Sequence, residues 1–457
     1  MPFSIYLFLV FCFFVLALFY AVPKKARPLI LLFSSIAFYG LCDVRFLALL
    51  AIEISFTFYL GKKIEANLAQ NKAKKFLFLG ILFVLTILGF FKYFNFFVEQ
   101  FSFSFKSILL PLGISYYSFK AISYLIDIYK QKRSSEPSFT FYALYISFFP
   151  HLICGPIVRS ETITEPLKKG IAYNPELFKQ GFLLLVSGLF KKVVIADRIG
   201  TYVNTIFATP EAYPSFALLL ALLLFALQLY CDFGGYSEIA VGFTKMFGIP
   251  CNDNFLRPYF ALNIRDFWRR WHISLSSWLR DYVYIPLGGN RLGKKRQHFN
   301  TLVTFIACGI WHGSALHFIL WGLWHGVFNT LTPRKDPQLF KKPVKILAFV
   351  LTFSIVLFGW LLFKIDSAPK LLQFLSHLIS DFSINVSTIS NSLLPFTYSN
   401  TCIAHFLTTL AFVFILFSQE YLQEKGKDKE YLFFTIQLFC VFLFCQTGNS
   451  PFLYANF

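Results

Sequence analysis

Two stretches of this sequence concentrate the residue types that can do chemistry in an apolar setting. Residues 267–290 read FWRRWHISLSSWLRDYVYIPLGGN and place His272 among arginines and tryptophans. Residues 301–326 read TLVTFIACGIWHGSALHFILWGLWHG and include His312. A neutral imidazole whose pKa is near ambient pH can accept a proton from a reacting hydroxyl, and a guanidinium binds phosphate oxygens in pairs. The two stretches therefore suit proton transfer beside an anionic donor.

His312 is the stronger candidate for a catalytic base. A single helix over 301–330 would be about 45 Å long, too long for one untilted crossing, so we predict a break near Gly313 and Ser314. A cavity could form at that break, and ionisable groups at membrane depth usually face one. The alternative is a histidine that is only hydrogen-bonded to a neighbouring helix.

His325 repeats the WHG pattern 13 residues after His312. The two positions differ by about 220° in helical phase, so one unbroken helix cannot direct both to one site. We therefore interpret His325 as structural or supporting, and His317 as a weaker candidate still. The remaining histidines are interpreted as structural or solvated: His151, His298, His377 and His405.

The arginine-rich stretch predicts an amphipathic helix. Counted at 100° per residue from His272, most apolar side chains between Ile264 and Leu279 fall on one face and most polar ones on the other. Such a helix lies in a membrane interface, with tryptophans at headgroup level and arginines toward water. It is either a peripheral anchor or the cytoplasmic mouth of a site for an anionic donor. In the second case the donor-binding residues are Arg265, Arg269, Arg270, Arg280 and Ser276.

The composition shows that these residues belong to a membrane protein. Of 457 residues, 56% are hydrophobic and 14% are charged, and the mean hydropathy of +0.60 excludes a soluble globular protein. We predict one all-α, polytopic membrane domain over residues 1–457, with about eleven transmembrane helices of roughly 20 residues plus re-entrant and interfacial helices. The apolar windows are 1–22, 29–43 with 44–60, 76–98, 107–128, 139–158, 179–207, 214–248, 301–330, 345–364, 402–419 and 431–448.

Basic residues outnumber acidic residues by 42 to 23, which gives a net charge of +19. The basic clusters fall between the apolar windows, as in cytoplasmic loops of membrane proteins, so the excess indicates topology and not nucleic-acid binding. The pattern places the N-terminus, the 365–401 loop and the tail after Cys445 outside. Nine cysteines without CxxC spacing favour packing residues over disulfides or a metal site.

Several motifs occur in the order that is typical of one family of membrane enzymes. They are LPLGISYYSFKAISYLIDIY (110–129), FFPHLICGPIVR (148–159), SGLFKKVVIAD (187–197), YCDFGGYSEIAVG (230–242), NFLRPYF (254–260), FWRRWHISLSSWLRDYVYIPLGGNR (267–291) and IWHGSALHFILWGLWHG (310–326). Together they resemble the bacterial membrane-bound O-acyltransferases (MBOATs), in the group that acetylates alginate or peptidoglycan or transfers D-alanine to teichoic acid. One departure is His151, where the family pattern has glutamine; it lies outside the proposed chemistry.

The resemblance implies a funnel-shaped membrane protein whose core motifs lie within 107–330. It implies that the invariant WHG histidine is His312 and that a second functional histidine, in RWH, is His272. Membrane lipid would surround the chain. An acyl thioester, acetyl-CoA, would enter from the cytoplasm toward His272, and the acyl group would leave past His312; no cofactor or metal is expected. The supporting residues would be Trp311, His325 and Asn254.

The final residues, FLYANF, lead to a hypothesis about Tyr454. They resemble the aromatic–Tyr–aromatic end of partner peptides in the D-alanyl system, in which the tyrosine hydroxyl carries the acyl group. The predicted outer tail, 446–457, could extend about 40 Å, enough to reach mid-membrane from outside. Tyr454 is therefore a candidate acyl carrier, and an interfacial aromatic anchor is the alternative.

These observations predict an O-acetyltransferase of the bacterial inner membrane that delivers acetyl groups from cytoplasmic acetyl-CoA to a cell-envelope polysaccharide. Peptidoglycan is the favoured acceptor, with alginate or another exopolysaccharide as alternatives. A periplasmic or membrane-anchored SGNH/GDSL-type esterase-like partner would complete the transfer. A transporter or flippase is the rival from a different class; it would be expected to show paired half-repeats with interrupted helices, and none is evident in the sequence.

Overall fold

The computed structural model describes residues 5–100, 107–333, 341–380, 385–396, 401–427 and 429–445, so Tyr454 lies outside the described residues. The described residues are mostly helical and include no β-strand, which confirms the all-α prediction. The α-helices are α1 Ile5–Ala21, α2 Arg27–Asp43, α3 Leu47–Ala66, α4 Lys72–Gln100, α5 Ile114–Tyr129, α6 Phe139–Ser147, α7 Phe149–Leu152, α8 Ser160–Lys168, α9 Pro175–Leu189, α10 Asp197–Ala208, α11 Ser215–Met246, α12 Ile264–Arg270, α13 Ile273–Leu279, α14 Gly293–His312, α15 Leu316–Leu331, α16 Lys342–Lys364, α17 Ala368–Ser380, α18 Val386–Leu393, α19 Cys402–Glu424 and α20 Glu430–Phe444. Two π-helical segments, Phe190–Ala196 and Arg280–Tyr284, follow α9 and α13.

The chain divides into two compact units. The first comprises Met1–Leu185, Ala240–Asp253 and Ser277–Val283, and the second comprises Val186–Ile239, Asn254–Ser276 and Tyr284–Phe457. Among the candidate residues that the structure describes, Arg280 belongs to the first unit and all the others belong to the second. The geometry relevant to the candidate chemistry is therefore that of the second unit. A single domain over 1–457 stays a prediction.

Long apolar helices make this a multi-pass membrane protein. Within the described residues, five helical runs are long and apolar enough to cross a membrane: Arg27–Ala66, which includes α2 and α3, Lys72–Gln100, Ser215–Met246, Lys342–Lys364 and Cys402–Glu424. Two shorter apolar helices are Ile5–Ala21 and Glu430–Phe444. The count of about eleven spans stays a prediction. The window 139–158 is not one helix, because α6 ends at Ser147 and α7 runs only from Phe149 to Leu152.

The predicted amphipathic helix is wrong as a continuous element. α12 ends at Arg270, and α13 begins only at Ile273. Between them His272 has φ 43°, in the left-handed region that interrupts a helix. The break is held by backbone pairing with a distant segment: Ile273 donates to the carbonyl of Asn254 at 2.9 Å, and Leu256 donates to the carbonyl of Arg270 at 2.9 Å.

The tryptophans of this stretch also differ from the interfacial prediction, because they are buried inside the protein. Trp271 is 1% exposed and Trp268 is 8% exposed, both within the second unit. In the first unit, Trp278 stacks on Phe119 with ring centres 3.8 Å apart and donates from Nε1 to the Phe119 carbonyl at 3.0 Å. Packing inside the protein, and not the headgroup layer, therefore determines where these rings lie.

The break predicted near Gly313 is confirmed. α14 ends at His312, Gly313 is extended, and α15 begins at Leu316. The two helices form a tight hairpin because glycine lies where their backbones meet. A side chain at Gly309 would collide with the carbonyl oxygen of Phe318 in α15, so only glycine permits this approach.

Candidate active site

His312 lies at the very end of α14, immediately before the extended Gly313. Its side chain is buried, with 3% exposed. Two aromatic rings meet the imidazole edge to face: Trp321 of α15, with ring centres 4.9 Å apart, and Phe363 of α16, at 5.3 Å. The helix end thus holds the imidazole among residues of three helices. The predicted passages from His312 to the two membrane faces stay predictions.

His272 and His312 both contact the same tryptophan, Trp311. The ring centre of His272 lies 6.3 Å from that of Trp311, and the centre of His312 lies 4.8 Å from it. His272 also meets Phe233 of α11 edge to face at 4.8 Å. The structure therefore brings the two candidate histidines into one buried aromatic cluster, although 40 residues separate them in sequence.

The environment of His272 keeps its ring uncharged. Burial lowers its pKa to about 3, because removing a cation from water is costly. Its Nδ1 is 3.5 Å from Ser274 Oγ, a long contact. Its Nε2 is buried and has no hydrogen-bond partner within the described part of the chain. His272 can therefore offer a neutral nitrogen to a bound molecule at ordinary pH.

Asn254 fixes the turn that carries His272. Its side-chain oxygen accepts a hydrogen bond from the backbone N–H of Ser274 at 3.0 Å, and its carbonyl accepts from Ile273 at 2.9 Å. Ser276, which we expected at the donor site, donates from Oγ to the carbonyl of Trp271 at 3.3 Å. In this structure both side chains hold the backbone around His272.

His325 lies in the aromatic layer next to His312. Trp321 contacts both histidines, with its ring centre 4.9 Å from His312 and 5.2 Å from His325. His325 also meets Trp268 edge to face at 5.2 Å, and it is fully buried. Gly359 of α16 leaves room for this ring, because a side chain there would collide with His325 Nε2. This placement is compatible with the supporting role that we predict.

The four candidate donor arginines have different environments. Arg270 donates to both carboxylate oxygens of Glu424, at 3.0 and 2.9 Å, and to Asp266 at 3.1 Å. Although burial opposes its charge, these carboxylates raise the pKa of Arg270 above its ordinary value. Arg265 donates to the carbonyl of Asn329 at 3.2 Å. These two guanidinium groups are thus engaged inside the second unit.

The other two arginines are exposed. Arg269 projects to the surface from α12. Arg280, in the first unit, pairs with its neighbour Asp281 at 2.9 Å. A common guanidinium site built from all four arginines therefore stays a prediction, and Arg269 is the member of the second unit with an exposed side chain.

A buried ionic network in the second unit did not follow from sequence reasoning. Lys191 lies 2.5 Å from Glu238 and 3.9 Å from Glu420, and Tyr230 donates to Glu420 at 2.5 Å. Beside it, Lys192 bridges two carboxylates: Asp197 at 2.7 Å and Asp232 at 2.6 Å. Adjacent lysines inside an apolar run are a usable signal, because buried charges in membranes are paired. No group of three or more His, Cys, Asp or Glu side chains suited to a metal ion occurs among the described residues.

Comparison with known proteins agrees with the motif order. Residues 127–332 match the family model described as MBOAT, membrane-bound O-acyltransferase family. The chain is 34% identical over 422 residues to the "Probable alginate O-acetylase AlgI" of Pseudomonas aeruginosa, which covers 90% of this chain and 81% of that protein. It is 32% identical over 493 residues to the "Peptidoglycan O-acetyltransferase" of Helicobacter pylori, which covers 96% and 93%. It is 29% identical over 269 residues to the "Teichoic acid D-alanyltransferase" of Bacillus subtilis, which covers 55% and 68%.

Proposed function

The chain belongs to the membrane-bound O-acyltransferase family, and we propose that it moves acetyl groups from cytoplasmic acetyl-CoA across the bacterial inner membrane for O-acetylation of a cell-envelope polysaccharide. The structural observation that supports this proposal is that His272 and His312, two buried histidines from distant motifs, both contact the ring of Trp311. A transporter or flippase has no support from these relatives.

The transfer assigns a role to each histidine. The acceptor hydroxyl oxygen attacks the carbonyl carbon of the thioester while its proton passes to the imidazole of His312. The carbon–sulfur bond then breaks, and the proton returns to the thiolate, which leaves an ester and a free thiol. A general base of this kind contributes ~10²–10⁴-fold in rate. His272, with a neutral ring and an Nε2 that has no hydrogen-bond partner among the described residues, would contact the thioester and orient it.

Peptidoglycan is the acceptor that we favour. The relative named Peptidoglycan O-acetyltransferase covers 96% of this chain and 93% of its own length. The alternative is alginate or another exopolysaccharide. The relatives named alginate O-acetylase support it to a similar degree; the one from Pseudomonas aeruginosa is 34% identical over 90% of this chain. We further propose a periplasmic SGNH/GDSL-type partner that completes the transfer, and Tyr454 as an acyl carrier between His312 and that partner.

We expect His312→Ala to reduce acetyl transfer by about 10²–10⁴-fold, because it removes the general base while leaving α14 able to form. The measurement is base-released acetate and the mass of wall sugars from cells that carry only the variant. The matched control is His298→Ala, since His298 is exposed near the other end of the same helix. Wild-type acetate release from a membrane-inserted His312→Ala chain would contradict the assignment.

The same assay tests the carrier role of Tyr454. Tyr454→Phe keeps an aromatic anchor and removes the hydroxyl that would accept the acetyl group, so we expect acetate release to fall toward the level of cells without the chain. Unchanged acetylation of wall sugars in this variant would leave only the anchor role.

A further inference from the structure

A polar pocket lies in the second unit at the ends of α10 and α16, beside the start of α17. Its volume is about 430 Å³, within the range of small-molecule sites. Six of the eleven lining residues are charged or carry side-chain amides, so the pocket does not suit a lipid chain. The lining consists of Asn204, Phe207, Ala208, Pro210, Glu211, Lys364, Ile365, Asp366, Lys370, Gln373 and Phe374.

The pocket is next in sequence to a residue that packs against the candidate base, His312. Phe363 of α16 meets the ring of His312 at 5.3 Å, and the next residue, Lys364, lines the pocket. The basic start of α16, at Lys341, Lys342 and Lys345, marks the cytoplasmic end of that helix by the distribution of positive charge. The pocket is then at the outer end, where an acceptor would arrive.

The charges around the pocket leave one cation, Lys364, and one carboxylate, Glu211, without an ion-pair partner among the described residues. Lys370 pairs with Asp366 at 2.9 Å, which also holds the pKa of Asp366 below its ordinary value. Lys364 instead donates to the side-chain oxygen of Asn204 at 3.2 Å and lies over the rings of Phe207 and Phe225, at 5.6 and 5.2 Å from their centres. No carboxylate within the described residues lies within 4.0 Å of its Nζ.

These groups match the chemistry of an acidic sugar. The ammonium of Lys364 suits a carboxylate, and the amides of Asn204 and Gln373 suit hydroxyl or acetamido groups. Phe207 is partly exposed and stacks on the buried ring of Phe374 with ring centres 5.2 Å apart, so it supplies an apolar surface for a sugar ring.

We propose that this pocket is an acceptor-side subsite that holds one carboxylate-bearing sugar residue of the envelope polysaccharide. This inference rests on the proposed function and names where the acceptor chain binds. The shared ligand chemistry is a hexose ring with a carboxylate, which either a uronate polymer or a muramic acid residue without its stem peptide supplies. The site holds the acceptor polysaccharide at the outer end of α16. This role is the same whether this protein or a partner transfers the acetyl group to the sugar hydroxyl.

The test is a calorimetric titration of the full-length chain in lipid nanodiscs with three tetrasaccharides. These are oligomannuronate, a peptide-free oligomer of alternating N-acetylglucosamine and N-acetylmuramic acid, and the neutral oligomer of N-acetylglucosamine. We expect at least one acidic oligomer to bind about tenfold more tightly than the neutral one, since a charge-assisted hydrogen bond contributes on that scale. The acidic oligomer that binds identifies the source of the carboxylate.

Lys364→Met removes the ammonium and keeps an apolar stem against Phe207, so the preference for the acidic oligomer should disappear. Lys345→Met, at the other end of α16, is the matched control and should retain it. If Lys364→Met does not fold, the affinity of the wild type for each oligomer is measured at increasing salt concentration instead. Added salt should weaken the binding of the acidic oligomer and leave that of the neutral oligomer unchanged. Equal binding of all three oligomers, no binding, or a preference that survives Lys364→Met overturns the subsite.

Thiol release from acetyl-CoA, measured on the same preparation, separates this proposal from the proposed function. Turnover of acetyl-CoA without a preference for acidic sugars overturns the subsite alone. Binding of the acidic oligomer without any turnover contradicts the proposed donor alone.

Discussion

His272 combines a strained backbone with a buried, uncharged ring. Its φ of 43° lies in the left-handed region, where a non-glycine residue is uncommon and a β-branched residue is strongly disfavoured. Burial lowers the pKa of its ring to about 3, whereas an unfolded histidine titrates near 6.5. An uncommon backbone conformation and a buried imidazole therefore occur at one position, a combination that is typical of functional side chains.

The depressed pKa predicts an acid-labile contribution to stability. Below about pH 6.5 the unfolded chain takes up a proton at this position, but the folded chain does not until the pH approaches 3. The free energy of unfolding should therefore fall by up to about 1.4 kcal/mol per pH unit below pH 6.5 from this group. We expect His272→Asn, which tolerates positive φ, to lose less thermal stability between pH 7 and pH 5 than the wild type does. The measurement is the apparent Tm in detergent at both pH values.

The control for this prediction is His298→Asn, which replaces an exposed histidine on α14 outside the buried aromatic cluster and should leave the apparent Tm at both pH values as in the wild type. If His272→Asn shows the same loss between pH 7 and pH 5 as the wild type, His272 is protonated in the folded chain.

At the scale of elements, the end of α19 holds the backbone on both sides of the histidine turn. Glu424 accepts a hydrogen bond from Nε of Arg257 at 2.9 Å and two from Arg270. Arg257 follows the segment that pairs with the turn, and Arg270 ends α12 two residues before His272. One carboxylate therefore ties the two sides of the turn to a membrane helix.

Glu424→Gln should destabilise the second unit, because it leaves two partly buried guanidinium groups without their shared anion. We expect a loss of about 1–3 kcal/mol, the usual magnitude for hydrogen bonds to a charged group, together with reduced acetyl transfer. Thermal unfolding in detergent and acetate release measure the two effects. The matched control is Asp43→Asn, which breaks the exposed pair with Arg45 and should leave both readouts unchanged. An unaltered Tm in Glu424→Gln would show that the hydrogen bonds from Arg257 and Arg270 to Glu424 do not contribute to the stability of the second unit.

The two helix breaks show what the sequence can and cannot predict. The break after His312 follows from helix length and from Gly313, which are local features. The break at His272 cannot be recognised from the local sequence. Two short helices that flank a two-residue turn have the same amphipathic pattern as one continuous helix. The cause of the break is hydrogen bonding to Asn254, 18 residues earlier, which no local pattern contains. For the same reason, the motifs point to both histidines as candidates but contain no sign of their common contact with Trp311 or of the partners of Arg270.

At the scale of the whole molecule, the charge pattern and the helix lengths together predict which ends of α14 and α16 face the cytoplasm. α14 has 20 residues and begins with Lys294, Lys295 and Arg296, so it rises about 30 Å from its basic end to His312. α16 has 23 residues and rises about 35 Å from its lysines to Lys364. Because basic residues mark the cytoplasmic side, we expect His312 and Asp366 to lie toward the outer face.

This orientation is tested by labelling single cysteines in intact cells with a membrane-impermeant maleimide. We expect Asp366→Cys to react from outside, because its side chain is exposed beyond the end of α16. Lys294→Cys, exposed at the start of α14, should react only after the membrane is permeabilised. The parent chain must carry substitutions at Cys42 and Cys445, the cysteines that are not buried among the described residues, so that they give no background. Labelling of Lys294→Cys in intact cells would reverse the orientation, and the pocket next to Lys364 would then face the donor instead of the acceptor.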